Sequence, residues 1–398
     1  MDIAIVGAGI GGLTAAASLL QRGHNVRVYE QAPELGEVGA GIQMSANAVK
    51  VLDHLGLRST FEPTAVRPKA FEFRRFDSGE VLHRLPLGEQ HEQRHGAPYF
   101  QIHRSDLHNA LRAAVLKFDP QAIVLNAKAS HVEEDLTSAT VHFVDGKSVR
   151  ADLVVGADGI KSVVRRHVVD AAEPNFTGEV AWRCIVPVSR IPAELRTDIV
   201  STIWCGPNNH AVTYYLRNAE LLNFVGCVVR PDEEESWTAK RPWEELDADY
   251  RGWHPMVRAV IDNVDRTQCF RWALNNRVPN MVWSTERVTM LGDAVHATLP
   301  YMAQGAAMAI EDAAVLARAL ELDAPLQEQL RIYETHRAPR TARVVEESTE
   351  MGELYHIGDA DTMRKAFHDR NIAKSRNEWL YPYDPLHVPL TAVAPLGA

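Results

Sequence analysis

Residues 3 to 30 constrain the fold more than any other stretch. A short β-branched run, Ile3–Val6, meets Gly7-Ala8-Gly9-Ile10-Gly11-Gly12, and an alanine- and leucine-rich segment follows to about Gln21. Gly23 stops that segment before a second strand-like run, Val26–Glu30. Strand, glycine turn, helix and strand make a βαβ unit, so the chain opens with a parallel sheet. Gly7, Gly9 and Gly12 permit the tight turn, close approach of backbone to a pyrophosphate, and close packing of helix on strand. The helix N-terminus presents free N–H groups and a partial positive charge to the phosphates. Glu30, 18 residues after Gly12, ends the second strand, where a carboxylate accepts hydrogen bonds from a ribose 2′-hydroxyl. These features predict dinucleotide binding without separating FAD from NAD.

Two later turns repeat the strand-end pattern. Asp158-Gly159 follows the strand-like Leu153–Gly156, and Gly292-Asp293 follows Val288–Leu291. Either is also readable as a plain structural turn. Ala303-Gln304-Gly305-Ala306 opens an alanine-rich helix to about Leu320, and its N–H groups are placed to stabilise negative charge on a ligand. Between the turns the texture changes to strand-like runs: Val180–Val188, Ile199–Cys205, His210–Arg217 and Leu221–Val229. They predict an inserted, mainly antiparallel substrate domain. A polar helix is expected over Leu326–Glu347, then a tail of which part packs on the body and the last ten residues are loose.

The chain of 398 residues, 46% hydrophobic and 24% charged, has the composition of a globular protein of two to three domains, which excludes disordered and fibrous classes. A net charge of −10 gives no general attraction to nucleic acid or anionic membranes. Four widely spaced cysteines argue against a zinc ribbon or disulfide framework. The apolar start lacks a basic leader and is cut by glycines, so a soluble, cytoplasmic protein is expected. His91-Glu92-Gln93-Arg94-His95 spells H-E-x-x-H, but its polar neighbours predict a solvated turn and no metal.

The three turns in this order, with His103-Arg104-Ser105-Asp106-Leu107-His108, resemble the single-component FAD-dependent aromatic hydroxylases, over Ile3 to about Tyr383. In texture the chain is similar to enzymes acting on 3-hydroxybenzoate, salicylate and 6-hydroxynicotinate. The resemblance implies a Rossmann-like FAD-binding domain of the p-hydroxybenzoate hydroxylase type over residues 1–73, 97–172 and 277–345. It implies an antiparallel substrate domain over 74–96 and 173–276, and a C-terminal helix and tail over 346–398. It assigns cofactor binding to Gly7, Gly9, Gly12, Glu30, Gln31, Gly41, Arg104, Asp158, Asp293, Gly305 and Ala306. NADH or NADPH is then a transient donor without a Rossmann site of its own, and O₂ a co-substrate that forms a flavin C4a-hydroperoxide. The expected partner is a small aromatic acid, hydroxylated with or without decarboxylation, and the expected assembly a homodimer.

His210 and Tyr214 are the catalytic candidates. On a strand, positions 210, 212 and 214 share one face, with the two side chains about 7 Å apart by strand rise. A neutral imidazole accepts a phenolic proton, and the phenolate enriches the ring in electrons. Packing with satisfied polar tips is the other reading of the same pair. Gln43 and Tyr301 are expected pocket walls; related enzymes carry histidine at those places in one subfamily, and glutamine in another where Pro300 stands here. A flavin dehydrogenase or oxidase, and a non-catalytic FAD-binding redox sensor, are the alternatives.

Overall fold

The computed structural model describes residues 1–36, 41–170, 172–231 and 239–391. Five parallel strands form one sheet, in the order Val288–Met290, Leu153–Gly156, Asp2–Val6, Asn25–Tyr29 and Ile123–Val124. Ile3, Ile5, Val26, Val28 and Val154 are buried, as strands covered on both faces require. Their register decides the site: Val6 lies beside Gly156 and Tyr29, and Gly156 beside Met290. The Gly7 turn, the Asp158 turn, the Gly292 turn and Glu30 therefore emerge at one edge, the carboxyl end where open parallel sheets bind ligands.

A second sheet has eight strands, in the order Ala239–Lys240, Phe270–Asn276, Asn175–Pro187, Leu221–Val229, Asn209–Leu216, Ser201–Gly206, Ala70–Arg75 and Val81–Pro86. All neighbours are antiparallel except Ser201–Gly206 with Ala70–Arg75. The last two strands come from upstream of the main insertion. The strand Ala70–Arg75 spans the position where the sequence reading divides residue 73 from 74. Pairing sets His210 opposite Cys227 and Val212 opposite Val225. It also sets Cys227 opposite Ala181 and Val225 opposite Arg183. One face of the sheet thus carries His210, Val212, Tyr214, Val225, Cys227 and Arg183 together.

Alanine-rich helices pack on the parallel sheet. Ile10–Gln21 and Gly305–Ala319 bury most of their length, with Ala15, Ala16, Ala17, Ala313 and Ala314 letting the backbones approach. The helix expected to end at Glu347 runs on from Leu326 to Tyr355 through Pro339. Its polar composition conceals the buried positions Tyr333, Val344, Val345, Met351 and Tyr355. The tail is tied down by Arg318, which donates to the Pro385 and Val388 carbonyls, and by Arg340, which donates to those of Trp379 and Leu380. Residues 392–398, most of the segment expected to be loose, lie outside the described residues.

The H-E-x-x-H expectation needs correction. Glu89–His95 is a short helix, and His91 and His95 are 3% and 4% exposed rather than solvated. Both rings pack edge-on against Tyr381, and His95 Nε2 contacts Asn377 Oδ1 at 3.0 Å. The tail covers the segment, a long-range contact to which local polarity gives no clue.

Candidate active site

The glycine turn is built to lie against a ligand. A Cβ on Gly7 would come 2.4 Å from the Ala157 carbonyl oxygen, and one on Gly12 would come 2.0 Å from the Gly7 carbonyl oxygen. Gly7 also adopts φ +104°, which favours glycine. At Gly9, which caps the helix Ile10–Gln21, a Cβ would meet nothing within 4 Å. The first two glycines thus close the turn, and the third leaves open space above a helix N-terminus, where a pyrophosphate fits. His108 Nε2 contacts the Ala8 carbonyl oxygen at 2.8 Å, which anchors the turn to the helix Arg104–Phe118.

From this turn a cavity of about 350 Å³ extends between the parallel sheet and the large sheet. Gly9, Gly41, Gln43, Arg104, Asp293, Gly305 and Ala306 line one side, and His210, Val212, Tyr214, Arg183 and Tyr301 the other. A second pocket of about 660 Å³ adjoins it and shares Arg104, Arg183, Asp293, Thr298 and Pro300. Ala303, in the left-handed region at φ +55°, turns the chain into the helix Gly305–Ala319, whose first-turn N–H groups face no intrahelical acceptor. Open space at Gly9, Arg104 between the two ends, and a helix N-terminus at Gly305 together fit a long, anionic, ring-ended cofactor such as FAD.

His210 is fully buried. Its Nδ1 lies 2.8 Å from His356 Nε2, and its Nε2 has no partner among the described residues. Burial, reinforced by His356, holds its pKa well below the usual histidine range, so the ring is neutral. The Tyr301 ring stands edge-on to it at 4.6 Å. Tyr301 donates its hydroxyl to Glu179, and burial raises both the carboxyl and the phenol. Gly352 leaves room for that ring, since a Cβ there would lie 2.7 Å from Tyr301. Tyr214 is 4% exposed with its phenol raised by burial, and a Cβ on Gly41 would strike its ring at 2.4 Å. Gln43 Oε1 accepts from Tyr99 at 3.3 Å and from Ser201 at 3.1 Å, so the amide is held in the wall.

Comparison with known proteins supplies what geometry alone does not. Residues 1–348 match the family model described as an FAD binding domain. A 3-amino-4-hydroxybenzoate 2-monooxygenase of Streptomyces cremeus is 42% identical over 90% of this chain and 88% of its own length. A 3-hydroxybenzoate 6-hydroxylase of Polaromonas naphthalenivorans is 37% identical over 96% of each chain. The solved structure of HpxO from Klebsiella pneumoniae with FAD and uric acid superposes with a TM-score of 0.82 at 27% identity, over 94% of each chain. The chain belongs to the FAD-dependent aromatic monooxygenases.

In this member of the family the cofactor-side residues expected from the sequence do not all stand alike. Gly9, Gly41, Arg104, Asp293, Gly305 and Ala306 line the cavity. Gly7 and Gly12 support it from behind. Glu30 closes the turn itself, accepting from the N–H of Ala8 and of Ala32 at 2.9 Å each, with lone pairs left for a ribose. Gln31 beside it is exposed. The Asp158 carboxylate accepts from Ser162 Oγ at 2.5 Å and from the N–H groups of Val163 and Val164 at 2.7 and 3.3 Å. It caps the helix Val163–Val168, while its neighbours Ala157 and Gly159 reach the cavity.

Sequence reasoning missed three features. Glu179 under Tyr301 and His356 beside His210 come from distant segments and carry no spacing signal. Behind the Ala303 turn, Glu311 and Asp312 are fully buried against Arg337 and Arg340, with Arg337 Nε 2.7 Å from Asp312 and Arg340 Nη2 2.8 Å from Glu311. His296 Nε2 lies 2.6 Å from Asp312, which also accepts the Gly292 N–H. Asn47 donates to Glu311 and to Gln304, the residue opening the helix. An acidic pair inside an alanine-rich helix, with arginines three apart in the next helix, is the signal that could have revealed this network.

Proposed function

We propose that this monooxygenase hydroxylates a small phenolic or hydroxypyridine carboxylate, with the ring of the substrate lying against His210, Val212 and Tyr214. The observation that carries the reading is the His210 imidazole: buried, neutral, fixed through Nδ1, without a hydrogen-bond partner at Nε2 among the described residues, and in the lining of the cavity. Bound FAD would supply the redox chemistry, hydride acceptance from NAD(P)H and activation of O₂. The chain's own part is to hold the aromatic ring, exclude water and move a proton.

His210 Nε2 accepts the proton of the substrate hydroxyl, which raises electron density at the ortho and para carbons. Free phenols titrate near 10 and histidine near 6.5, so the transfer needs help from the site. Tyr214 donates its hydroxyl to the developing phenolate oxygen. Arg183, on the wall shared with the second pocket, supplies positive charge for the substrate carboxylate. Gln43 and Tyr301 are walls, with Tyr301 fixed by Glu179. On the cofactor side, Gly9 and Arg104 would hold the phosphates, Glu30 the adenosine ribose and Asp293 the ribityl chain. Gly305 and Ala306 would offer helix-start N–H groups to the flavin ring. The proposed compartment is the cytoplasm, where four buried free thiols are stable.

Two relatives above are named for hydroxybenzoates, one amino-substituted, and they set the panel for the test. Purified holoenzyme is supplied with NADH or NADPH and, singly, 3-amino-4-hydroxybenzoate, 3-hydroxybenzoate, 4-hydroxybenzoate, salicylate or 6-hydroxynicotinate. Mass analysis should find one acid converted to a product with one added oxygen. If none is oxygenated and none accelerates NAD(P)H oxidation, the substrate class is wrong and an oxidase or sensor takes its place.

A further inference from the structure

His210 has one way out for a proton. Of the rings around it, Tyr301 gives its hydroxyl to Glu179, and Tyr355 gives its hydroxyl to the Tyr301 carbonyl at 3.1 Å. Tyr250 donates to the backbone carbonyls of His210 and Cys227, at 3.1 and 3.3 Å, and not to the His210 ring. Among the described residues, the sole hydrogen bond of the His210 ring goes to His356 Nε2, at 2.8 Å. His356 caps the helix Leu326–Tyr355 and is half-buried, whereas His210 is 0% exposed. It sits where the chain passes the surface turn after Ser201–Gly206: a Cβ on Gly358 would lie 3.2 Å from Pro207. The pair therefore spans from the cavity wall toward solvent.

We propose that His356 is the outer link of a two-imidazole relay that carries the substrate hydroxyl's proton from His210 to solvent. The proposal rests on the reading of His210 given above. At rest His210 carries its hydrogen on Nδ1 and donates it to the lone pair of His356 Nε2, and His356 carries its own on Nδ1. The substrate O–H breaks as His210 Nε2 gains its proton. The Nδ1 hydrogen of His210 passes to His356 Nε2, and the Nδ1 hydrogen of His356 leaves to water. Both rings end neutral in the opposite tautomer, with the negative charge on the phenolate and one proton in solution. Protonation of the product by His210 Nε2 runs the same steps backward and resets the pair. No redox change occurs in the relay. His356 touches neither substrate nor cofactor, so it is a positioning and relay residue rather than a catalytic one.

The relay is tested on the holoenzyme with a pH-indicator dye in weak buffer, during rapid mixing with the acid that the panel identifies. Wild type should release a proton as the phenolate forms. His356→Gln can still accept the Nδ1 hydrogen and hold the His210 tautomer but cannot pass a proton on. It should keep its flavin and its affinity for the acid, release the proton about tenfold more slowly or worse, and regain speed on addition of free imidazole. His356→Asn gives a second, smaller amide should the first variant fold poorly. Proton release at the wild-type rate in the variants, or slow release that imidazole does not restore, overturns the relay. If wild type itself releases no proton and oxygenates no acid, the failure lies in the proposed function, and the relay falls with it.

Discussion

At the scale of single residues, the site depends on groups whose substitution has a calculable consequence. Arg183 stacks its guanidinium 3.8 Å over Trp272 and lies between the two pockets, so it is both charged and pre-oriented. Losing one charge-assisted hydrogen bond costs about 1.5–3 kcal/mol, or about 10- to 100-fold in binding. Arg183→Gln should raise KM for the aromatic acid by that factor while flavin content stays constant. An unchanged KM would remove the carboxylate from Arg183. Gly12→Ala is different in kind, since its Cβ would lie 2.0 Å from a backbone oxygen that cannot move aside. The variant should purify without yellow colour, and a full flavin complement in its absorbance spectrum would contradict the account of the turn.

At the scale of elements, the buried charges hold the flavin-facing turn to the two C-terminal helices. Arg337 is fully buried between Glu311 and Asp312; despite burial, Arg340 and Arg337 hold the Glu311 carboxyl below its usual range, and His296 and Arg337 hold that of Asp312. Removing one partner of a buried pair costs about 3–5 kcal/mol, because the other charge is left uncompensated. Arg337→Met should lose that much in denaturant unfolding and also loosen flavin, because Asp312 fixes Gly292 and Glu311 reaches Gln304 through Asn47. A loss below about 1 kcal/mol would mean that the network is dispensable. The elements themselves were largely readable. Leu153–Gly156 and Leu221–Val229 have in the structure the bounds read from the sequence, because β-branched runs between glycines carry their own punctuation. The strands Ala129–Glu134 and Ala139–Phe143 do not stand out in the sequence: buried Ala129 and Val132 do not alternate, and the alternation of buried Ala139, Val141 and Phe143 with Thr140 and His142 spans only five residues. The three cofactor turns were legible because each pairs a local strand with a glycine. Glu179 and His356 were not, because only sheet register and a helix end bring them against Tyr301 and His210.

At the scale of the whole molecule, the tail and a set of buried histidines couple folding to pH. Burial, with His95 and Lys50 nearby, pushes His91 down to about 3, and burial pushes His356 down to about 4. Free histidine titrates near 6.5. Between the folded and unfolded values the unfolded chain binds a proton that the folded chain does not, so stability rises with pH across this window. It is fully present above about 6.5 and is lost as pH falls toward 4, by about 1.4 kcal/mol per pH unit for each such histidine. His91→Leu keeps the contact with Tyr381 apolar and should flatten the slope of urea midpoints between pH 7 and pH 5. Parallel slopes for variant and wild type would show that the His91 ring is protonated in the folded state.

The central claim is that a phenolic acid is oxygenated beside His210. Its most direct test is turnover under ¹⁸O₂, with NADH or NADPH and the best acid of the panel, comparing wild type with His210→Ala by product mass and NAD(P)H consumed. The account predicts one ¹⁸O per product molecule in wild type. In the variant, hydroxylation should fall by about 10²–10⁴-fold with flavin still bound and reducible. Label absent from the product, or coupled hydroxylation at the wild-type rate in His210→Ala, would contradict it.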